Sequence, residues 1–433
     1  MKKMNSFGNY PASNPSLIVH SSWQDDISTF LKNNKSTFLP IGMRRSYGDS
    51  CLHDAGTLLE ITGIHKVISF DPEKGILCTE AGIILKDILS FIVPNGWFLP
   101  VTPGTQFITI GGAIANDIHG KNHHRVGSFG NHVKRIGLRR SDADEILICS
   151  ENEYPDLFYA TIGGLGLTGI IVWAEFKLVP IKSPMMKTIS EQFNGYSEYL
   201  DITKREEAEY TVAWFDSVSG GKKFMRGLYN SGDFIDHEEI ELSNSVMSVP
   251  LYAPHYVLNK WTMKIFNSLY YRKNISSIKE RIQHYTPFFY PLDSLQDWNK
   301  LYGTRGFLQY QCVVPHEQSS DAIQEIVRYM QSKKVGSFLV VLKSFGRIES
   351  KGLLSFPKPG MTLAMDFPMR GAETLNLLSS FDEIVHQAGG RVYPAKDARM
   401  SGEHFRAWYP GYERMLQLKD PAIESDFWKR VMI

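Results

Sequence analysis

Residues 67–70 and 75–80 read as two strands joined by the turn Asp71-Pro72-Glu73-Lys74, and residues 83–93 follow with apolar side chains at helical spacing, Ile84, Ile88, Leu89 and Ile92. A second unit repeats this order. Residues 135–140, the turn Ser141-Asp142-Ala143-Asp144 and residues 145–149 predict a hairpin, followed by a short helix from Tyr154 and a strand over 168–179. There is no long parallel, doubly wound run. From about Lys182 the texture changes to polar loops, then strands at 210–215 and 307–314, a helix over 320–332, strands over 337–345 and 361–367, and a helix over 373–388. That order predicts an α+β layer, an antiparallel sheet backed by helices. After Gly389-Gly390 the tail is again rich in Tyr, Lys, Arg and Asp. A polar, aromatic tail suits a shared ligand site, so it is expected to return to the first part of the chain.

With 433 residues, 43% of them hydrophobic, the chain can bury a large core and divide into two or three domains. Lys plus Arg (47) and Asp plus Glu (46) nearly cancel, which removes the basic field that nucleic acid binding requires. The four cysteines, Cys51, Cys78, Cys149 and Cys312, stand singly, so neither a zinc site nor a disulfide framework is indicated. The first residues carry basic side chains with no apolar run behind them, and the most apolar stretch, 83–101, is broken by Lys86, Asp87 and Pro94. The expectation is a cytoplasmic protein with no export signal and no spanning helix.

Glycines concentrate in three places: IGMRRSYGDS (41–50), the run from Gly104 to Gly120, and IGGLGLTGI (162–170). Backbone amides without a Cβ in front of them can approach an anion closely, and three such loops within 130 residues favour a dinucleotide over simple chain reversal. None of the three has the GxGxxG spacing, and there is no Walker loop.

The segments RRSYGDS, PGTQFITIGGAIANDIHGKNHHRVGSFGNHV, LFYATIGGLGLTGII, WNKLYGTRGFLQYQ and AKDAR resemble the decaprenylphosphoryl-β-D-ribose 2′-oxidase family of vanillyl-alcohol-oxidase-type flavoproteins, from about Leu39 to Trp408. The resemblance implies a two-domain PCMH-type fold: an FAD-binding domain over residues 1–182, a substrate-binding cap over 183–390, and a C-terminal segment, 391–433, that rejoins the first domain. It implies that FAD lies along Gly42, Arg45, Ser46, Tyr47, Gly48 and Asp49, then Gly104 and Thr105, then Thr109, Ile110, Gly111 and Gly112. Asn116, Asp117, Ile118 and His119 would complete the cradle, with Ile171 (or its neighbour Ile170), Tyr393 and Lys396 beside the cofactor. Relatives that attach FAD covalently use a histidine in an SxGD-type loop; this chain has Tyr47 there, so non-covalent FAD is expected.

Hydride transfer to flavin N5 needs the alcohol proton removed and the growing charge at N1 and C2=O stabilised. A lysine whose pKa is lowered by burial can serve either need. The resemblance puts Lys396 in that place, and it puts His119 and Lys121 of DIHGKNHH on the substrate side, although a polar turn is the other reading of that segment. Its histidine spacing is not that of a metal motif. In 306–311, period-two alternation sets Gln309 and Gln311 on one face, suited to sugar hydroxyls or simply to solvent. The family's matching strand lines the pocket, as does the one carrying Lys343, with Tyr47, Trp214 and Tyr302 as aromatic walls. The chain departs from the family in three ways: Ala364 replaces a cysteine of mycobacterial members, and Ile41 and Arg44 replace an arginine and a glycine, leaving Arg44 or Arg45 to supply charge.

The activity implied is oxidation of the 2′-hydroxyl of a polyprenylphosphoryl ribose, the first half of an epimerisation to arabinose for the cell envelope. A separate NADH-dependent reductase would complete it, and quinone or oxygen would take the electrons. A soluble alditol or aldonolactone is the alternative substrate, and a non-catalytic flavin-binding scaffold is the reading from another class. Finally, residues 256–273 place Val257, Leu258, Trp261, Ile265, Phe266, Leu269 and Tyr270 at helical spacing among Lys260, Lys264, Arg272 and Lys273. Such a helix either covers the core of the middle region or lies against the inner face of the plasma membrane.

Overall fold

Every residue of the strand Phe307–Val314 is buried, because its two faces meet different partners. The computed structural model describes residues 4–239, 247–254, 260–274, 277–337 and 339–433. Phe307–Val314 lies in an eight-stranded sheet in the order Ile278–His284, Met185–Asn194, Arg226–Phe234, Tyr210–Phe215, Val340–Phe345, Gly360–Pro368, Phe307–Val314 and Arg391–Val392. All neighbours in it are antiparallel. The helices Tyr196–Arg205, His316–Ser332 and Ala372–Gln387 pack against this sheet and against one another. Their buried stripes follow helical spacing, Ile323, Ile326, Val327 and Met330 in one and Leu377, Leu378, Phe381 and Val385 in another. Tyr310 belongs to the helix-covered face, its ring 5.3 Å from that of Phe381. Gln309 and Gln311 therefore point to the other face.

Besides two-stranded pairs, the N-terminal half holds a three-stranded and a five-stranded sheet. One is parallel, in the order Leu17–His20, Thr57–Glu60, Phe38–Ile41. The other is antiparallel, with Ile170–Lys177 placed between the two sequence-evident hairpins so that both join one five-stranded sheet. The helix expected over 83–93 runs Leu85–Ile92 and buries Leu85, Ile88, Leu89 and Ile92. At roughly 1.5–3 kcal/mol for each buried aliphatic side chain, that stripe outweighs its modest length. The helix expected from residue 320 begins at His316, directly after Pro315, which fixes the chain at its start. The strand expected over 337–345 runs Val340–Phe345; residue 338 lies outside the described residues, as do 256–259 of the amphipathic stretch.

The tail packs on the N-terminal half. Phe38 N donates to Ala422 O and Glu424 N to Phe38 O, both at 2.9 Å. Arg430 makes a two-pronged pair with Asp49, Nε and Nη2 each 2.8 Å from a carboxylate oxygen, and Nη2 is also 2.9 Å from Asp397. Gly48 lies so close to this turn that a Cβ would sit 1.6 Å from Asp397 O, so only glycine fits. Tyr47 N donates to Ala395 O at 3.0 Å, which fixes the first glycine loop beside Lys396.

Candidate functional site

The glycine loops and the Gln309/Gln311 face enclose a cavity of about 990 Å³. That is near the upper end of small-molecule sites, about 300–1,000 Å³. From the first loop, Gly42, Arg45, Ser46 and Tyr47 line it; from the second, Gly104, Thr105, Thr109, Gly111 and Gly112; beyond them Asn116, Ile118, His119, Lys121 and Ile171. Trp214, Gln309, Gln311, Lys343, Ala364, Tyr393 and Lys396 form the opposite side.

Gly48, Asp49, Ile110, Asp117 and Tyr302 stand outside the lining, and each has work nearby. Gly48 and Asp49 dock the tail, as above. Ile110 is buried in the core while its amide, like that of Gly111, is held by a backbone carbonyl, Ile83 O at 3.0 Å and Ala81 O at 2.8 Å. Asp117, fully buried, accepts from Ser128 Oγ (2.8 Å), Gly130 N (2.8 Å) and Ser355 Oγ (2.6 Å), tying the His119 turn to the 346–357 segment. Tyr302 donates to Asp366 at 3.2 Å. Arg44, where a glycine was expected, has φ +51°, a left-handed conformation that costs about 1 kcal/mol or more for a side chain with a Cβ.

The donor set fits a flavin dinucleotide. Among the described residues, Arg45 Nε and Ser50 Oγ are buried on the wall without a partner, as donors awaiting an anion would be. A Cβ on Gly104 would meet no protein atom within 4 Å, so its backbone faces open cavity. Thr109 caps the following helix, its Oγ1 accepting from Gly112 N at 3.1 Å, which sets the angle of the second glycine loop.

The polar end of the cavity is built around His119. Gln311 Nε2 lies 2.9 Å from its Nε2 and Lys343 Nζ 3.1 Å from its Nδ1. The Gln311 amide nitrogen can only donate, so His119 Nε2 accepts; Nδ1 then carries the ring proton and donates it to Lys343 Nζ as a neutral amine, which leaves the imidazole neutral. Burial, then the Lys343 charge, pushes its pKa well below the usual histidine range, in agreement. Burial also lowers Lys343 and Lys396 to about 7, and Lys121 to about 8. Lys121 Nζ donates to Phe289 O at 3.0 Å. Lys396 Nζ sits 3.7 Å over the Tyr47 ring and makes no hydrogen bond among the described residues.

Two carboxylates belong with this set that sequence pattern did not single out. Asp293 lines the cavity and accepts from Gln106 N at 2.9 Å. Asp366, 1% exposed, accepts from Gln309 Nε2 at 2.7 Å, and burial raises its pKa to about 7. Alternation from Thr362 and Ala364 would have put Asp366 on the cavity face, but its pairing with Gln309 depends on strand register. Among the described residues no group of three or more His, Cys, Asp or Glu could hold a metal ion, and no helix is long and apolar enough to cross a membrane.

Tyr47, where the resemblance puts the histidine of covalently flavinylated relatives, is buried, which pushes its phenol well above its ordinary pKa and keeps it protonated. Acid precipitation of the purified protein should therefore leave the yellow colour in the supernatant. Colour retained in the pellet would mean a covalent bond.

A family model described as an FAD binding domain matches residues 15–145. The chain is 33% identical over 410 residues to decaprenylphosphoryl-β-D-ribose oxidase of Mycolicibacterium smegmatis (strain ATCC 700084 / mc(2)155), covering 90% of this chain and 88% of that enzyme. It is 22% identical over 382 residues to L-gulonolactone oxidase of Mus musculus (84% and 82% covered) and 27% identical over 255 residues to cytokinin dehydrogenase 2 of Arabidopsis thaliana (57% and 46%). Likeness of this extent, over a cavity whose glycine loops and buried donors suit the dinucleotide, makes the chain an FAD-dependent oxidoreductase belonging to the decaprenylphosphoryl-β-D-ribose oxidase family.

Proposed function

We propose that the protein oxidises the 2′-hydroxyl of a polyprenylphosphoryl-β-D-ribose to the 2′-ketone, the first half of an epimerisation to arabinose. One observation carries the substrate class. The cavity does not stop at a sugar-sized polar end; it continues past Trp214 to Phe266 and Tyr270, flanked by Lys273, Lys279 and Arg281. A polar chamber that shares its cavity with cations and aromatic walls suits a sugar, a phosphodiester and a prenyl chain.

FAD, when bound, supplies the two-electron acceptor for the hydride leaving the carbinol carbon. Gly42, Arg45, Ser46, Gly104, Thr105, Gly112 and Asn116 would hold it, with Ile171 and Tyr393 bordering the ring. Gln309 and Gln311 hydrogen-bond the sugar hydroxyls, and Lys121 and Trp214 border the sugar. Lys396 takes the hydroxyl proton: it is buried, titrates near neutrality and makes no hydrogen bond among the described residues, whereas both nitrogens of His119 are occupied. The His119 ring holds Lys343 in place, and a remaining N–H of Lys343 fixes the carbinol oxygen. Electrons would pass on to a quinone or to oxygen, and an NADH-dependent keto-sugar reductase would complete the epimerisation.

Anaerobic titration tests the substrate. Polyprenylphosphoryl ribose should bleach the visible flavin band, and free alditols or aldonolactones should not. The reverse pattern would replace this reading with a soluble-sugar oxidase.

A further inference from the structure

The helix Lys260–Arg272 is attached to the sheet by its polar side. Asn267, fully buried, donates to Asp216 Oδ1 at 3.0 Å. Arg226, paired with Asp216 at 3.0 Å, also donates to Ser268 Oγ at 3.1 Å and lays its guanidinium over Tyr271 at 4.6 Å. At the helix end, Gln192 Nε2 donates to the carbonyls of Tyr271 (3.2 Å) and Asn274 (3.0 Å), and Asn274 Nδ2 donates to Ser190 O at 3.1 Å.

What faces outward is apolar. Trp261, Ile265 and Leu269 recur at every fourth position and are 72%, 62% and 66% exposed. A helix on the surface of a water-soluble protein normally has the opposite arrangement, apolar stripe inward and polar face out. Here Met263 is buried and Tyr270 and Tyr271 pack on the core, but the stripe Trp261, Ile265 and Leu269 is left outside. The surrounding charge is as uneven: between residues 247 and 284 there are six Lys and Arg and one acid, Glu280, which pairs with Lys187 at 3.0 Å, in a chain of net charge +1. Lys264 and Arg272 are exposed on the helix itself.

We propose that this face docks the protein on an anionic lipid bilayer, with Trp261, Ile265 and Leu269 entering the interfacial layer and Lys264 and Arg272 lying against the headgroups. An outward apolar stripe bordered by cations is the combination an acidic membrane surface selects. The cavity reaches the same helix: Phe266 and Tyr270, stacked with centroids 6.0 Å apart, line it, and Lys273 stands beside them. An apolar chain leaving the cavity along those two rings passes directly to the docked face; this last link rests on the lipid-linked substrate reading, while the docking itself does not.

Flotation of the full-length FAD-loaded protein with vesicles tests the docking without any substrate. The protein should rise with vesicles of phosphatidylcholine plus phosphatidylglycerol and bind phosphatidylcholine alone about tenfold more weakly. Ile265→Glu with Leu269→Glu should lower the bound-to-free ratio at least about tenfold on the acidic vesicles. Lys264→Glu with Arg272→Glu should remove the preference for acidic lipid. An unchanged flavin spectrum and melting midpoint establish that each variant is folded. Wild type that stays at the bottom with both vesicles, or an Ile265/Leu269 variant that floats like wild type, overturns the proposal. So does wild type that forms a dimer lost in the Ile265/Leu269 variant while failing to float, which would make the face a protein interface. Flavin bleaching measured separately keeps this result distinct from the fate of the substrate reading.

Discussion

Lys396→Met leaves FAD bound and slows substrate-dependent flavin reduction by roughly 10²- to 10⁴-fold, the usual worth of a positioned proton acceptor. Methionine nearly matches the length and volume of the lysine stem, so the packing against Tyr47 survives while the basic nitrogen is lost. The measurement is single-turnover absorbance of the flavin under anaerobic conditions. A rate equal to wild type would remove Lys396 from the chemistry. The size of the expected loss follows from the surroundings: His119 is neutral and engaged at both nitrogens, and Lys121 is committed to Phe289 O, so neither replaces the missing base.

The pH dependence of the same step should show an acid limb near 7, where Lys396 titrates, and Asp366→Asn should move that limb to lower pH by an amount on the order of one unit. The sign follows from charge. Burial lowers the Lys396 pKa, and the Asp366 carboxylate acts against that by favouring the ammonium form. Removing the carboxylate charge destabilises the ammonium, the pKa falls, and more neutral amine is present at a given acidic pH. The groups that share this field are His119, on the turn after the second glycine loop, Lys343 on the neighbouring strand, and Tyr47 beneath the ammonium. Asn keeps the shape of Asp366 and can still accept from Gln309, so the strand pair should hold. If the alkaline limb moves instead, Lys396 works in its protonated form and the base lies elsewhere; an unmoved acid limb would show that Asp366 exerts no influence on it.

Much of the scaffold was legible because local rules agree with the tertiary outcome. The turn Asp71-Pro72-Glu73-Lys74 does join two antiparallel strands, and the alternation at Gln309 and Gln311 does put both amides on one face. What could not be read was pairing between distant segments. Nothing local says that Ile170–Lys177 inserts between two hairpins, or that Gln309 stands opposite Asp366, since such register is settled by the packing of whole faces. The helix Lys260–Arg272 shows the limit of periodicity from another side. Its moment is plain in the sequence, but which side meets the protein was decided by Asn267, Ser268 and Asn274 finding Asp216, Arg226 and Ser190. Asp117 looked like part of the cofactor cradle because it lies in the right run; its carboxylate is instead spent on Ser128, Gly130 and Ser355, just behind the wall.

The return of the tail sets an order of events during synthesis. Ribosomes release the glycine loops long before residue 396, and the Asp49 side chain waits for Arg430, 381 residues further along. A nascent chain thus carries most of a nucleotide cradle while still lacking Lys396 and the ion pair that seats it. The first glycine loop is therefore seated against the tail only once the helix Asp426–Met432 has formed.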